Sequence, residues 1–377
     1  MKIIFLIGLI GAIYSYFIYP LILLVMSVKK PKHDNDGSDY NPKVSFVITA
    51  HNEESRIENK IKNTLALTYP KDLMEIIVAS DCSTDKTDEI VTSFNSDGIK
   101  LVRAEERKGK EYAQFLAIKE ATGEIVIFSD VATEIQPDGL DALVKRFADS
   151  KVGAVSSEDR FVSDDGTIVG EGAYVKYEMW LRKLESKVYS LVGLSGSFFA
   201  ARRDVCELWD ISIPSDFNTA LNSVRKGYVA VSDPNVIGYY KDIKHGKGEY
   251  GRKFRTVVRG ISAIASKPDV LNFSRYGLFA FEVWSHKIMR WLVPWFLLIL
   301  FVASFSLAGT HWFVNLALLI QAIFYSLALS GHFDEVMRDY VFVRIPYYFM
   351  EVNVAIAHAT VAFLFGKRIT TWQPSKR

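Results

Sequence analysis

The chain is poor in cysteine: Cys82 and Cys206 are the only two among 377 residues, which excludes a disulfide framework and suits a reducing compartment. It has no long basic run with interleaved aromatics and a net charge of only +2, so nothing points to nucleic acid as a partner. It also lacks internal repeats and low-complexity segments. The most consequential absence is local. Residues 3–28 contain no charged side chain, and residues 291–333 contain no Asp, Glu, Lys or Arg.

These stretches raise the hydrophobic content to 49% and the mean hydropathy to +0.11, high for a fully soluble protein. At about 1.5 Å per residue, the first is long enough to cross a hydrocarbon core of roughly 30 Å. A cleaved signal peptide is the competing reading, but Met26-Ser27-Val28-Lys29-Lys30 offers no cleavage site. Residues 1–28 are therefore expected to be a retained transmembrane anchor. The second stretch is too long for one helix, and Gly309-Thr310-His311 supplies a turn between two spans. A third candidate, 345–365, carries Glu351, Asn353 and His358, which are costly in lipid. Residues 291–377 thus form a membrane region of two or three spans with a basic C-terminal tail. Ahead of it, 271–290 mixes Phe279, Phe281, Trp284 and Ile288 with Glu282, His286, Lys287 and Arg290, the pattern of an amphipathic interface helix.

Lys29, Lys30 and Lys32 follow the anchor closely, whereas only Lys2 precedes it, so the middle of the chain is expected to be cytoplasmic. The protein is then an integral membrane protein, of the inner membrane if bacterial. Three full downstream spans would put Lys367, Arg368, Lys376 and Arg377 outside, against the same bias. Either 345–365 does not cross, or 275–290 enters the bilayer more deeply.

Residues 29–42 read as a polar linker. From 43 to 270 short β-rich runs alternate with helical ones: strands at 44–50, 75–79, 99–104, 124–129 and 152–157, and helices at 53–67, 84–93, 110–120 and 137–147. This predicts an α/β, Rossmann-like, mostly parallel sheet covered on both faces. Aromatics at helical spacing follow in 173–189, then small residues around Ser195 and the apolar Phe198-Phe199-Ala200-Ala201.

Open α/β sheets bind ligands at the carboxyl ends of their strands. Three of those ends present acids: Glu53 or Glu54, Asp81 and Asp130. Helix capping accounts for each acid singly, since Asn52, Ser83 and Thr84 suit helix starts. It does not account for all three in succession.

Val44-Ser45-Phe46-Val47-Ile48-Thr49-Ala50-His51-Asn52-Glu53-Glu54 and Asp81-Cys82-Ser83-Thr84-Asp85 resemble the start of glycosyltransferase family 2, inverting enzymes that use nucleotide sugars. Further matches are Lys108-Gly109-Lys110, Ala121-Thr122-Gly123-Glu124, Asp130, Pro137-Asp138, Ser195-Gly196-Ser197 and Asp216-Phe217, over roughly residues 42–260. The resemblance implies a GT-A type fold. It implies donor contacts at Ala50, Glu53, Asp81 and Lys110, and a divalent cation, Mg2+ or Mn2+, at Asp130, the first acid of the family's DxD motif. Ala132 stands at the second acid, so Thr133, Glu134, His245 or water is expected to complete the shell. Asp216 matches the catalytic base, with Ser215 in place of the acid that normally precedes it. Arg252 and Arg255 fall at the Gln and Arg of the QxxRW segment of processive members, with Thr256 for the Trp, and are expected at the diphosphate.

The expected activity is inverting transfer from a nucleotide sugar, a UDP-sugar by preference, to a lipid-linked or polysaccharide acceptor at the cytoplasmic membrane face. The partners are then the donor, the acceptor and membrane lipids, with an oligomer or secretion partner to complete an export route. A processive synthase that extrudes its product and a nonenzymatic nucleotide-sugar-binding subunit are the alternatives, the latter because Ala132 and Ser215 each replace an acid.

Overall fold

The computed structural model describes residues 1–28, 40–162, 173–241 and 249–369. The expected metal contributor His245, the linker lysines and the tail residues Lys376 and Arg377 lie outside them. The chain divides into two compact units, one of residues 23–244, 263–280 and 370–377, the other of residues 1–22, 245–262 and 281–369.

The first unit is built on a sheet of seven strands: β1 (Val44–Ala50), β2 (Met74–Ser80), β3 (Ile99–Arg103), β4 (Ile125–Asp130), β5 (Val152–Val162), β6 (Phe198–Arg202) and β7 (Val229–Lys241). Their order across the sheet is β3-β2-β1-β4-β6-β5-β7. Every pairing is parallel except the two made by β6, so the mostly parallel expectation holds and one strand runs against the rest.

β1 is buried along its whole length because alternate residues serve opposite faces. Val44, Phe46, Ile48 and Ala50 pack with Ile57 and Ile61 on one face. Val47 packs with Ala113, Ala117 and Phe128 on the other. β7 was not anticipated: Asp233-Pro234 and Gly238 punctuate its sequence like a loop. The strand absorbs them in a register shift, passing from Ser156↔Ser232 to Glu158↔Ile237.

The Ala121-Thr122-Gly123-Glu124 match has a structural use. A Cβ on Gly123 would lie 2.5 Å from the Ser45 amide nitrogen. The Glu75 carboxylate accepts from the Thr122 amide at 2.6 Å, the Thr122 hydroxyl at 2.8 Å and the Gly123 amide at 3.2 Å. Burial pushes the Glu75 pKa up, but these bonds and one from Ser45 outweigh it and hold the carboxyl below its ordinary value. The clamp secures the sheet at the amino ends of β1 and β4.

Four helices are long and apolar enough to cross a membrane: Lys2–Ser27, Phe273–Ser306, Trp312–Phe333 and Val341–Leu364. The turn expected at 309–311 separates the last helix pair but one, and the weak third candidate is a full helix in which the Asn353 amide donates to the Phe349 carbonyl at 2.8 Å. In the second unit Gly8 and Gly11 let the first helix approach Leu300 and Phe296 closely; a Cβ on Gly8 would lie 2.8 Å from the Leu300 amide nitrogen. The segment 271–290 differs from an interface helix with a wet polar face. It runs on into Phe273–Ser306, and Glu282, His286 and Arg290 are buried while Trp284 is partly exposed. Two of them face tyrosines of the first helix: Arg290 lies over the Tyr16 ring, and His286 beside Tyr19.

Candidate active site

The site forms where β1, β2 and β4 end together, since Thr49 pairs with Asp130 and Ala50 with Ser80. Chain direction alone therefore gathers the acids that follow. The Asp81 amide donates to the Ala50 carbonyl at 2.9 Å. Asn52 and Cys82, just beyond β1 and β2, are the non-glycine residues with positive φ among those described. Asn52 is fixed there because its side-chain oxygen accepts from the Thr84 amide at 2.8 Å and its own amide donates to the Ser83 hydroxyl at 3.2 Å.

Asp81 is buried, and its carboxylate accepts from the amides of Lys108 and Gly109 at 3.0 Å each. It thereby ties β2 to the start of the helix Lys110–Glu120. Glu53 is buried too, with its carboxylate 2.5 Å from Arg56 and its amide on the Thr87 hydroxyl at 2.8 Å.

Lys110 makes the central contact. Its ammonium reaches Asp130 Oδ1 at 2.5 Å and donates to the Gly196 carbonyl at 2.7 Å. The Asp130 amide in turn donates to the Ser197 carbonyl at 2.9 Å. A Cβ on Gly196 would sit 3.5 Å from Asp216 Oδ2, so the same loop also abuts the expected base. Asp216 opens the helix Ser215–Arg225, where its charge suits the helix dipole. Lys110, Asp130, the 195–197 loop and Asp216 are thus brought together. Arg252 and Arg255 belong to the other unit, exposed on the helix Glu249–Ser266, whose opposite face packs Phe254, Val257 and Val258 against Ile356 and Ala359.

Four further residues were not singled out by sequence. Lys60 is buried in the helix Ile57–Leu65 and donates to the Thr133 carbonyl at 2.7 Å. Burial brings its pKa down to about 7, against the pull of Asp130 and Glu134. A lysine between Ile57, Ile61 and Thr64 on a buried helix face was the available signal. Asp159, on β5, accepts from Ser195, from Ser197 at 3.2 Å and from Ser157 at 3.3 Å. Tyr240 joins this cluster through Ser197, and burial first, then the Asp159 charge, raise its pKa well above the ordinary value. Glu111, buried beside Lys110, accepts from the Ser215 amide at 3.4 Å and so touches the turn that carries Asp216.

As for a cation, Asp130 is a single carboxylate, and the described residues contain no group of three His, Cys, Asp or Glu able to hold a metal ion. The Thr133 hydroxyl is turned to the Ser197 carbonyl at 3.4 Å, and the Glu134 side chain is exposed. Mg2+ is commonly held by one or two carboxylates with substrate phosphates and water, so Asp130 fits as the one protein carboxylate of such an ion.

Residues 45–209 match the family model described as Glycosyl transferase family 2. Over those residues the chain is similar to family 2 glycosyltransferases. It is 32% identical over 200 residues to the probable glycosyltransferase YdaM of Bacillus subtilis, covering 50% of this chain and 48% of that protein. It is 26% identical over 210 residues to the poly-beta-1,6-N-acetyl-D-glucosamine synthase of Staphylococcus epidermidis, covering 54% and 49%. The chain spans about half the length of these curated relatives. Among solved structures, a mannosyltransferase from Pyrobaculum calidifontis in complex with GDP-Man and Mn2+ superposes with a TM-score of 0.73 at 24% identity, covering 97% of this chain and 99% of that one. That likeness establishes the GT-A type of α/β fold.

Proposed function

We propose that this protein is a membrane-embedded, inverting glycosyltransferase that takes a nucleotide sugar, a UDP-sugar by preference, to a lipid-linked or polysaccharide acceptor at the cytoplasmic membrane face. The observation that carries the reading is the convergence of Asp81, Lys110, Asp130 and, across the 195–197 loop, Asp216 at one end of the sheet. A scaffold that only bound nucleotide would have no use for a half-buried carboxylate at the far side of that loop.

In this reading Ala50, Glu53 and Asp81 line the nucleoside end of the donor. Lys110 and Asp130 face the diphosphate and the sugar, and Arg252 and Arg255 add charge to phosphate binding. Asp216 removes the acceptor hydroxyl proton while that oxygen attacks the anomeric carbon from the side opposite the nucleotide. Lys110, an ammonium in a partly dry site, offsets negative charge growing on the departing diphosphate. A divalent cation held by Asp130 with the donor phosphates and water would supply further charge neutralisation there.

The four apolar helices support a membrane-bound acceptor, because they hold the domain where lipid-linked substrates and nascent glycans reside. The synthase relatives favour a second reading, repeated transfer to a growing polysaccharide with its export. Membranes containing the protein, incubated with radiolabelled nucleotide sugars and separated into lipid-bound and polymeric products, distinguish the two. Incorporation into neither fraction across a broad donor panel would sink both.

A further inference from the structure

The pairing of Lys110 with Asp130 has a bearing on how a cation can enter. The carboxylate at the end of β4 is the acid available to an ion at that point, since Ala132 carries no ligand and Thr133 is turned to the Ser197 carbonyl. Its Oδ1 lies 2.5 Å from the Lys110 ammonium, in a pair whose lysine is 9% exposed and whose aspartate is 27% exposed. The Gly196 carbonyl holds the same ammonium from the other side. A divalent ion approaching Asp130 therefore meets a cation already on its ligand, with one carboxylate among the described residues to attract it.

We propose that Lys110 guards Asp130: without donor its ammonium occupies the carboxylate that a divalent ion needs, and the diphosphate of an arriving donor draws the lysine off and admits the ion. The inference rests on the transferase reading for its ligand. Its physical basis is exchange of ion pairs. The Lys110 stem is long and flexible, and phosphate oxygens offer the ammonium a better-charged partner than a shared carboxylate. The exchange makes the donor and the ion bind together and keeps the donor-free site from filling with metal. Lys110 is thus a positioning residue for the ion as well as a phosphate contact.

The test is Mn2+ binding to the full chain in detergent, without nucleotide, followed through the paramagnetic resonance signal of free Mn2+. Lys110→Gln should bind Mn2+ at least about tenfold more tightly than wild type, a change of about 1.4 kcal/mol. Lys110→Arg, which keeps the cation, should bind as wild type does, and adding Asp130→Asn to Lys110→Gln should abolish the gain. Lys110→Met repeats the measurement if Lys110→Gln does not fold. Mn2+ affinity unchanged or weakened in the neutral variants would overturn the proposal. Equilibrium dialysis of wild type with labelled UDP and GDP in the presence of Mg2+ separates the two levels: binding of neither counts against the transferase reading, while the Mn2+ titrations still decide whether Lys110 guards Asp130.

Discussion

The buried ammonium of Lys60 donates at 2.7 Å to the Thr133 carbonyl, three residues beyond Asp130. The contact props the loop that carries Asp130 from below, and its cost depends on pH. Burial lowers the folded pKa of Lys60 to about 7, far under its value in an unfolded chain. Below about 7 the lysine is charged in both states and the full penalty is present. From about 7 upward the folded state binds fewer protons than the unfolded one, so stability rises with pH, by up to about 1.4 kcal/mol per pH unit. Thermal unfolding in detergent between pH 6.5 and 9 is expected to show this rise in wild type and to lose it in Lys60→Met. A wild-type slope unchanged by the substitution would remove Lys60 from the account.

Asp216→Asn is expected to reduce transfer by about 10²- to 10⁴-fold, the usual contribution of a positioned base. Donor binding should change little, because the substituted atom faces the acceptor in the proposed chemistry. Initial rates and nucleotide binding on the same membranes check both halves. Equal metal-stimulated activity in wild type and variant would show that another group is the base.

Chelation is expected to suppress transfer, with recovery on adding Mg2+ or Mn2+. Ala132→Asp would give the ion a second carboxylate and should lower the Mn2+ concentration for half activation by about tenfold. Full activity after exhaustive EDTA treatment would speak against an ion in the reaction.

Asp159 gathers Ser157, Ser195 and Ser197, and through Ser197 it reaches Tyr240. Removing the acceptor strands partly buried hydroxyls, so Asp159→Ala should lose about 1–3 kcal/mol of stability. The loop that supplies the Gly196 and Ser197 carbonyls should shift with it. Thermal unfolding and transfer rates are expected to fall together. A stable Asp159→Ala variant with ordinary rates would mean that the loop is held by its backbone alone.

Much of the sheet was legible because burial on two faces leaves an unbroken apolar run. The first strand, 44–50, and the helix at 110–120 were read from such patterns at the residues the structure gives. β7 was illegible because its turn-forming residues are absorbed in a register shift that only a neighbouring strand can reveal. Asp81, Lys110, Asp130 and Asp216 could be named from motif order, but the pairing of Lys110 with Asp130 spans 20 positions and depends on the sheet. Lys60, Glu111 and Asp159 act through contacts 73, 104 and 36 positions away, which local periodicity does not register. The helix that carries Arg252 and Arg255 was legible from their spacing, which leaves both on its exposed face.

Because β6 runs against its neighbours, it begins where they end, and the loop before it meets the acids through main-chain carbonyls of Gly196 and Ser197. Those contacts are made by the main chain, so a substitution that leaves the Ser195 and Ser197 hydroxyls on Asp159 keeps the grip on Lys110 and Asp130. A deletion or insertion of one residue between Ser190 and Phe198 would displace both carbonyls at once, so the loop tolerates changes of side chain away from those serines but no change in length.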